Sequence, residues 1–220
     1  MTANLAIQIG AVVFDMDGLL FDSERLYRDA IIAAAVELGH PFGIDDFLKL
    51  VGRPWSVNQV TLQKHIGSTG DVEVFRAAWM RHYETMKGTL PLKTGVIEML
   101  QRLDELQLPR AICTSSSHAD VRHNLAMHGL ADRFDAIVAA GDCVRGKPSA
   151  DPFLRAAELL GVVPADCVAL EDSHKGVRAA AAAGMRTVMV IDLLPPTEEI
   201  QSLCYLVAND LHEVRLRLGL

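Results

Sequence analysis

AVVFDMDG, residues 11–18, carries four apolar residues that stop abruptly on an acid. A continuous apolar run this short suits a strand buried on both faces, as in a parallel sheet. Three further runs repeat the pattern: Ala111-Ile112-Cys113, Cys167-Val168-Ala169-Leu170 and Thr187-Val188-Met189-Val190-Ile191, with a weaker one at Ala136-Ile137-Val138. Helical periodicity lies between them, as in Val96, Leu100, Leu103 and Leu106. Asp151-Pro152 is expected to open another helix, with Asp151 as N-cap and Pro152 at the first helical position, where a missing N–H costs nothing. Gly184, after the alanines from 179 to 183, is expected to end a further one. Strands alternating with helices from residue 94 onward predict an α/β fold built on a doubly wound parallel sheet.

Residues 23–88 break this alternation. They hold only helical patterns: a stripe of Leu26, Ala30, Ala33 and Ala34, and a broader one of Val72, Phe75, Trp79, Tyr83 and Met86. Ser56 and Gln59 have the spacing of a capping box for a helix between them. Both tryptophans and two of the three tyrosines fall here. The expected organisation is an α/β core of residues 1–22 and 89–220, with a small helical domain of residues 23–88 inserted after the first strand. The aromatic stripe is read first as core packing.

Composition narrows the function classes. The 220 residues are 50% hydrophobic and 22% charged, which gives ample material for a core and excludes a disordered chain. The net charge of −7 comes without any run of Lys or Arg, so no nucleic-acid partner is expected. No apolar run approaches the roughly 18 residues of a membrane helix, and MTANLAIQIG does not resemble a secretory leader, so no membrane partner and a cytoplasmic location are expected. Cys113, Cys143, Cys167 and Cys204 are far apart, with no CxxC pair, and Cys113 and Cys167 sit inside apolar runs as small buried hydrophobes. With no large exposed apolar stripe, a monomer or weak homodimer is expected.

In a doubly wound sheet, ligands bind beyond the carboxyl ends of the strands, near the point where strand order reverses. The residues there are Asp15-Met16-Asp17-Gly18 after the first strand and Thr114-Ser115-Ser116-Ser117 after the second. Gly146-Lys147-Pro148 stands before the Asp151 helix, and Glu171-Asp172-Ser173 follows the fourth run. Taken singly, each has a plainer reading: a turn or helix cap, a surface lysine, a solvated loop. Together, and in this order, they converge on one edge of the sheet. Asp15, Asp17, Glu171 and Asp172 cannot all ionise at close quarters without a cation. Oxygen-only ligands select a hard ion, and a few carboxylates with open water positions suit Mg²⁺. Thr114 and Ser115, expected at a helix start, suit an anion, and Lys147 adds a point charge. This is the chemistry of a phosphoryl-transfer site, in which a carboxylate can be the nucleophile.

The stretches FDMDGLLFDSE, CTSS, GKPSADPF and EDSHKGVRAAAAAGM resemble the four signature motifs of the haloacid dehalogenase superfamily. The helical insert resembles the small α-helical cap of its β-phosphoglucomutase-like branch, and the resemblance covers essentially the whole chain. It implies that Asp15 is the phosphorylated nucleophile and a Mg²⁺ ligand. Asp17 would be the general acid–base, its backbone carbonyl a further ligand. Thr114 and the Ser115 N–H would bind phosphate, and Lys147 would pair with the nucleophile and the phosphoryl group. Asp172 would ligate the metal, with Glu171 ligating directly or through water. The wording DMDGLL…DSERLY is most similar to phosphatases acting on sugar phosphates or pseudouridine 5′-phosphate. Tyr27 stands where β-phosphoglucomutase carries a histidine used in its cycle, which weighs against a mutase. His118 and His174 read as polar residues at helix starts. Arg53, in Gly52-Arg53-Pro54-Trp55, is a candidate substrate contact or a surface ion pair.

The expected activity is therefore Mg²⁺-dependent hydrolysis of a small phosphorylated metabolite through an aspartyl-phosphate. A sugar phosphomutase is the runner-up. A 2-haloacid dehalogenase needs no acid at position 17 and no metal. A non-enzymatic receiver domain shares the aspartate, metal, hydroxyl and lysine, but it is shorter, lacks the insert and carries its phosphorylated aspartate after a later strand.

Overall fold

The computed structural model describes residues 9–51, 55–67 and 70–220. Chain order is β1 (Ala11–Phe14), then the helices α1 (Ser23–Glu37), α2 (Ile44–Leu48), α3 (Trp55–Ile66) and α4 (Val72–Met86). Next come α5 (Val96–Glu105), β2 (Arg110–Cys113), α6 (His118–Met127), β3 (Ala136–Val138) and α7 (Asp151–Leu160). The chain finishes with β4 (Cys167–Glu171), α8 (His174–Ala182), β5 (Arg186–Val190), α9 (Glu198–Leu203), β6 (Leu206–Ala208) and α10 (Leu211–Leu218). It divides into two compact units, residues 1–21 with 92–220, and residues 22–91.

In the larger unit the six strands are all parallel, in the order β3-β2-β1-β4-β5-β6. The chain steps outward from β1 in one direction and from β4 in the other, so the strand order reverses between these two neighbours. Their register pairs Phe14 with Leu170, which sets Asp15 level with Glu171. Both faces of the sheet are covered. One presents Ala11, Val13, Ala111, Cys113, Cys167 and Ala169 to Phe153, Ala156 and Ala157 of α7 and to Ala179 and Ala180 of α8. Mostly small residues on both sides let these helices lie close to the sheet, with Phe153 filling the remaining volume. The other face carries Val12, Phe14, Ile112, Val168 and Leu170, all fully buried. Cys113 and Cys167 are buried and unpaired.

Several sequence expectations need adjustment. β6 is a three-residue edge strand too short to stand out by apolar content. Strand β5 runs from Arg186 to Val190, one residue earlier than the Thr187–Ile191 run. Asp151 does not cap α7: Ala150 occupies the N-cap, and Asp151 is already helical with Pro152 beside it in the first turn. The Asp151 carboxylate is drawn instead to Arg145, at 2.8 Å, and to the Ser149 hydroxyl, at 3.0 Å. Ser56 lies within α3 and does not cap it, because Trp55 is already helical.

In the smaller unit, Leu26, Ala30, Ile31, Ala34 and Ala35 of α1 are buried, as are Phe75, Ala78 and Trp79 of α4, against which α1 packs. The Asp71 side chain caps α4 by accepting from the Glu73 and Val74 N–H groups. The Trp79 indole N–H donates to the Tyr27 carbonyl at 3.1 Å, and the Tyr27 ring stacks on Tyr83 with centroids 4.1 Å apart. The aromatic stripe thus does the packing work expected of it.

Phe153 links core to site, because its ring also lies 5.0 Å from the Lys147 ammonium. Phe153→Ala is expected to lower stability by about 3–5 kcal/mol in urea unfolding, from lost burial and the cavity left behind. Phe153→Leu should cost much less.

Candidate active site

The acids and hydroxyls of the larger unit's site stand just where strands end, and a lysine reaches them from a loop. Asp15 leaves β1 and is 7% exposed, its backbone N–H donating to the Leu170 carbonyl across the strand-order reversal. Glu171 is the last residue of β4 and is completely buried. Lys147 comes from the segment before α7. Its ammonium donates to Asp15 Oδ1 at 2.5 Å, to the Cys113 carbonyl at 2.8 Å, and to Glu171 Oε1. Its side chain is only 5% exposed. One buried cation therefore bridges the ends of β1, β2 and β4, with its three donors all used.

Glu171 is held from its other side as well. Its Oε2 accepts from the Ser173 backbone N–H at 3.2 Å and the Ser173 hydroxyl at 3.0 Å. That hydroxyl also caps α8 by accepting from the Gly176 N–H. Gly176 is required by contact: a Cβ there would fall 1.7 Å from Glu171 Oε1. Gly18 has a parallel constraint, since its φ is +83° and a Cβ would fall 2.2 Å from Asp172 Oδ2.

Asp17 is brought to the turn after β2, where the Ser116 hydroxyl donates to its Oδ2 at 2.5 Å. Thr114 is buried, with its hydroxyl accepting from the Ser116 N–H at 3.0 Å, and Ser115 is exposed between them. This turn is not the helix start expected from the sequence. Ser117 takes the N-cap of α6, so Thr114 and Ser115 precede the helix and form a turn of their own. His118 and His174 are the first residues of α6 and α8. His118 pairs with Asp142 at 2.9 Å, and His174 bonds the Pro195 carbonyl. Arg53 lies outside the described residues.

Asp15 and Glu171 thus share Lys147, with Asp17 and Asp172 in the adjoining turns. Burial pushes the Asp15 carboxyl up from its ordinary 3.8 to about 8 against the pull of Lys147, and Glu171 and Asp17 push the same way. Burial works against the Lys147 charge, but Asp15 and Glu171 outweigh it and hold the ammonium firmly protonated. Burial also drives the Cys113 thiol up to about 12, so no thiolate is available beside the site. Carboxylate oxygens of Asp15, Glu171 and Asp172 lie within 4.8 Å of one another. A hard divalent cation fits this donor set, being all-oxygen and in excess of negative charge.

Two serines in these loops are partners that the sequence expectations did not include. Ser116 and Ser173, both in quoted turns, hold Asp17 and Glu171. Asp192 is a further acid outside those expectations, although it directly follows an apolar run, Thr187–Ile191, as Asp15 and Glu171 do. Its Oδ1 accepts from the Lys93 ammonium at 2.6 Å.

The haloacid dehalogenase-like hydrolase family model matches residues 9–184. The fructose-1-phosphate phosphatase YqaB of Escherichia coli is 34% identical over 187 residues, covering 81% of this chain and 95% of that protein. A phosphorylated carbohydrates phosphatase of Thermotoga maritima is 31% identical over 182 residues, covering 81% and 83%. Among solved structures, a Thermotoga maritima protein provisionally named as a β-phosphoglucomutase superposes with a TM-score of 0.82 at 27% identity, covering 96% of this chain and 99% of that one. Two Arabidopsis thaliana proteins are matched over only 18% and 57% of their own length.

The raised Asp15 pKa has a definite sign. Between the ordinary carboxylate value of 3.8 and about 8, the folded metal-free protein keeps a proton that the unfolded chain has lost. The Asp15 contribution to stability therefore falls as pH rises through that window and is flat above it. The stability of the wild type minus that of Asp15→Asn, from urea melts in chelator, should decline across this range. Saturating Mg²⁺ should abolish the decline by taking the proton's place.

Proposed function

The chain belongs to the haloacid dehalogenase-like hydrolase family, and from that premise we propose that it is a Mg²⁺-dependent phosphatase of a small phosphorylated metabolite, a sugar phosphate first of all, working through phosphorylated Asp15. The observation that carries this is the Lys147 ammonium clamped between Asp15 and Glu171 where strand order reverses. That arrangement fixes a carboxylate nucleophile at a spot where a cation and an anionic substrate can meet.

In the first step an Asp15 oxygen attacks phosphorus and the ester oxygen leaves. The Asp15–phosphorus bond forms as the phosphorus–ester oxygen bond breaks, and Asp17 gives its proton to the departing oxygen. In the second, Asp17 takes a proton from water, whose oxygen attacks the aspartyl-phosphate and restores Asp15 with release of inorganic phosphate. The Ser116 hydroxyl suits both states of Asp17, since it can donate to a carboxylate and accept from an acid. Lys147 orients Asp15 and balances charge on the transferring group, while Thr114 and the Ser115 N–H would receive phosphate oxygens. Asp15, Asp172 and the Asp17 backbone carbonyl would hold the cation, with Glu171 fixing Lys147 and lying beside them. The cation supplies charge neutralisation at the phosphoryl oxygens. The helical unit, residues 22–91, is read as the cap that selects the leaving group, with Arg53 as its candidate contact.

The fructose-1-phosphate and phosphorylated-carbohydrate phosphatases among the relatives support the substrate class. The Thermotoga structure favours a second reading, a sugar phosphomutase that returns the phosphoryl group to another hydroxyl of a sugar. Tyr27 weighs against it, being stacked on Tyr83 and set edge-on to Trp79 as packing. Product analysis decides: inorganic phosphate supports hydrolysis, and an isomeric sugar phosphate supports the mutase. A cytoplasmic monomer or weak homodimer without nucleic-acid or membrane partners completes the proposal. The four cysteines are free, and no helix among the described residues is long and apolar enough to cross a membrane.

Asp17→Asn is the informative variant. It keeps the backbone carbonyl and removes only the proton transfers, worth roughly 10²–10⁴ in rate. Turnover of an alkyl phosphate should fall by about that factor. With p-nitrophenyl phosphate, whose leaving group needs no proton, the variant should accumulate one phosphoryl group per protein, seen by mass and removed by hydroxylamine. Loss of turnover with no trapped phosphate on any ester would remove Asp17 from the acid–base role.

A further inference from the structure

Asp192 lies just beyond β5, at the same end of the sheet as Asp15 and Glu171, and no motif claimed it. Its side chain is 9% exposed. Oδ1 is taken by the Lys93 ammonium, but Oδ2 is buried with no hydrogen-bond partner. A buried acceptor left unmatched costs about 1–3 kcal/mol, more when it carries charge, so such an atom calls for a donor. Its position indicates which donor. Above the Cα of Gly18, the point a Cβ would occupy is 2.2 Å from Asp172 Oδ2 and 3.2 Å from Asp192 Oδ2. The bare glycine therefore lets the Asp172 carboxylate lie against the turn and brings Asp192 Oδ2 close to the same spot, beside the carboxylates of the cation site. The Lys93 ammonium donates to Oδ1 and leaves Oδ2 without a hydrogen bond. The Gly18 N–H is engaged elsewhere, donating to the Phe21 carbonyl at 2.8 Å.

We infer that Asp192 is an outer carboxylate of the cation site, its Oδ2 accepting from a water in the hydration shell of the ion that Asp15 and Asp172 hold. This rests on the cation-binding reading of the site proposed above. Mg²⁺ dehydrates reluctantly and keeps several waters, which need acceptors around them. Carboxylates that receive such hydrogen bonds commonly set affinity by 10–100-fold. The Lys93 ammonium then has a positioning role. It fixes the carboxylate so that one oxygen faces the site, and it removes part of the negative charge that would otherwise crowd Asp172. The backbone N–H of Lys93 donates to the Leu20 carbonyl at 2.9 Å, which ties the same residue to the turn carrying Asp17 and Gly18.

The test is Mn²⁺ binding by electron paramagnetic resonance, without substrate, on the full chain and on Asp192→Asn. Wild type should bind one ion per chain. Asp192→Asn, which keeps an oxygen for Lys93, should weaken binding by about 10-fold or more, with the metal-free melting temperature unchanged. The loss should persist in 1 M KCl, where a long-range charge effect is screened within about 3 Å. If the Asn variant unfolds, Asp192→Ser, which leaves room for water beside Lys93, carries the same comparison. Equal Mn²⁺ affinity in wild type and variant, or a loss that vanishes in high salt, would overturn the assignment of Asp192. Failure of the wild type to bind Mn²⁺ would instead overturn the cation site itself.

Discussion

The Lys147 ammonium, buried between Asp15 and Glu171, is the interaction on which the rest of this site depends. It joins the ends of β1, β2 and β4 through a single atom. Removing one partner of such a buried pair typically costs about 3–5 kcal/mol, because the charge left behind has neither water nor a counterion. The surrounding features follow from keeping that cluster dry and aligned. Phe153 closes one side of the lysine, Ser173 and Gly176 shape the bed of Glu171, and the Asp15 N–H locks onto β4. Burial is the main cause that raises the Asp15 pKa, and the neighbouring Glu171 and Asp17 carboxylates add to it. A cluster of this kind, with oxygens of Asp15, Glu171 and Asp172 within 4.8 Å of one another, suits a second positive charge.

The sheet was largely readable because parallel strands are buried on both faces, and burial on both faces leaves uninterrupted apolar runs. Asp15 and Glu171 stood out because each ends such a run. Lys147 stood out only in company, since nothing in Gly146-Lys147-Pro148 alone distinguishes a buried lysine from a surface one. What could not be read were relations between distant residues. The Asp17–Ser116 bond spans 99 positions, as does Lys93–Asp192. The N-cap expected at Asp151 failed for a similar reason. The Asp151 carboxylate had the right type and place for an N-cap, but Arg145 and Ser149 compete for it. The edge strand β6 has only three residues, of which Val207 is half-buried, and so lacked the apolar length of the central strands.

The smaller unit illustrates a different limit. Helices α1 and α4 were legible from periodicity, the short α2 was not, and the stacking of Tyr27 on Tyr83 beside Trp79 shows why the aromatics recur at that spacing. Periodicity reports the face that packs and is silent on the residues that face a ligand. The chemistry of the larger unit is constrained by charge balance and hydrogen-bond satisfaction, whereas choice among phosphate esters depends on shape and polar contacts that follow no repeat. Family membership accordingly supports the reaction type more strongly than any individual substrate.

Fluorine-19 NMR of the protein with beryllium fluoride tests the central claim most directly, because trifluoroberyllate binds a carboxylate in the tetrahedral geometry of an acyl phosphate. The expected result is a set of bound fluoride resonances that requires both Mg²⁺ and the Asp15 carboxylate, and that disappears in Asp15→Asn and in chelator. The same resonances from Asp15→Asn, or undiminished resonances in chelator, would contradict a phosphorylated Asp15 held between Lys147 and a divalent cation.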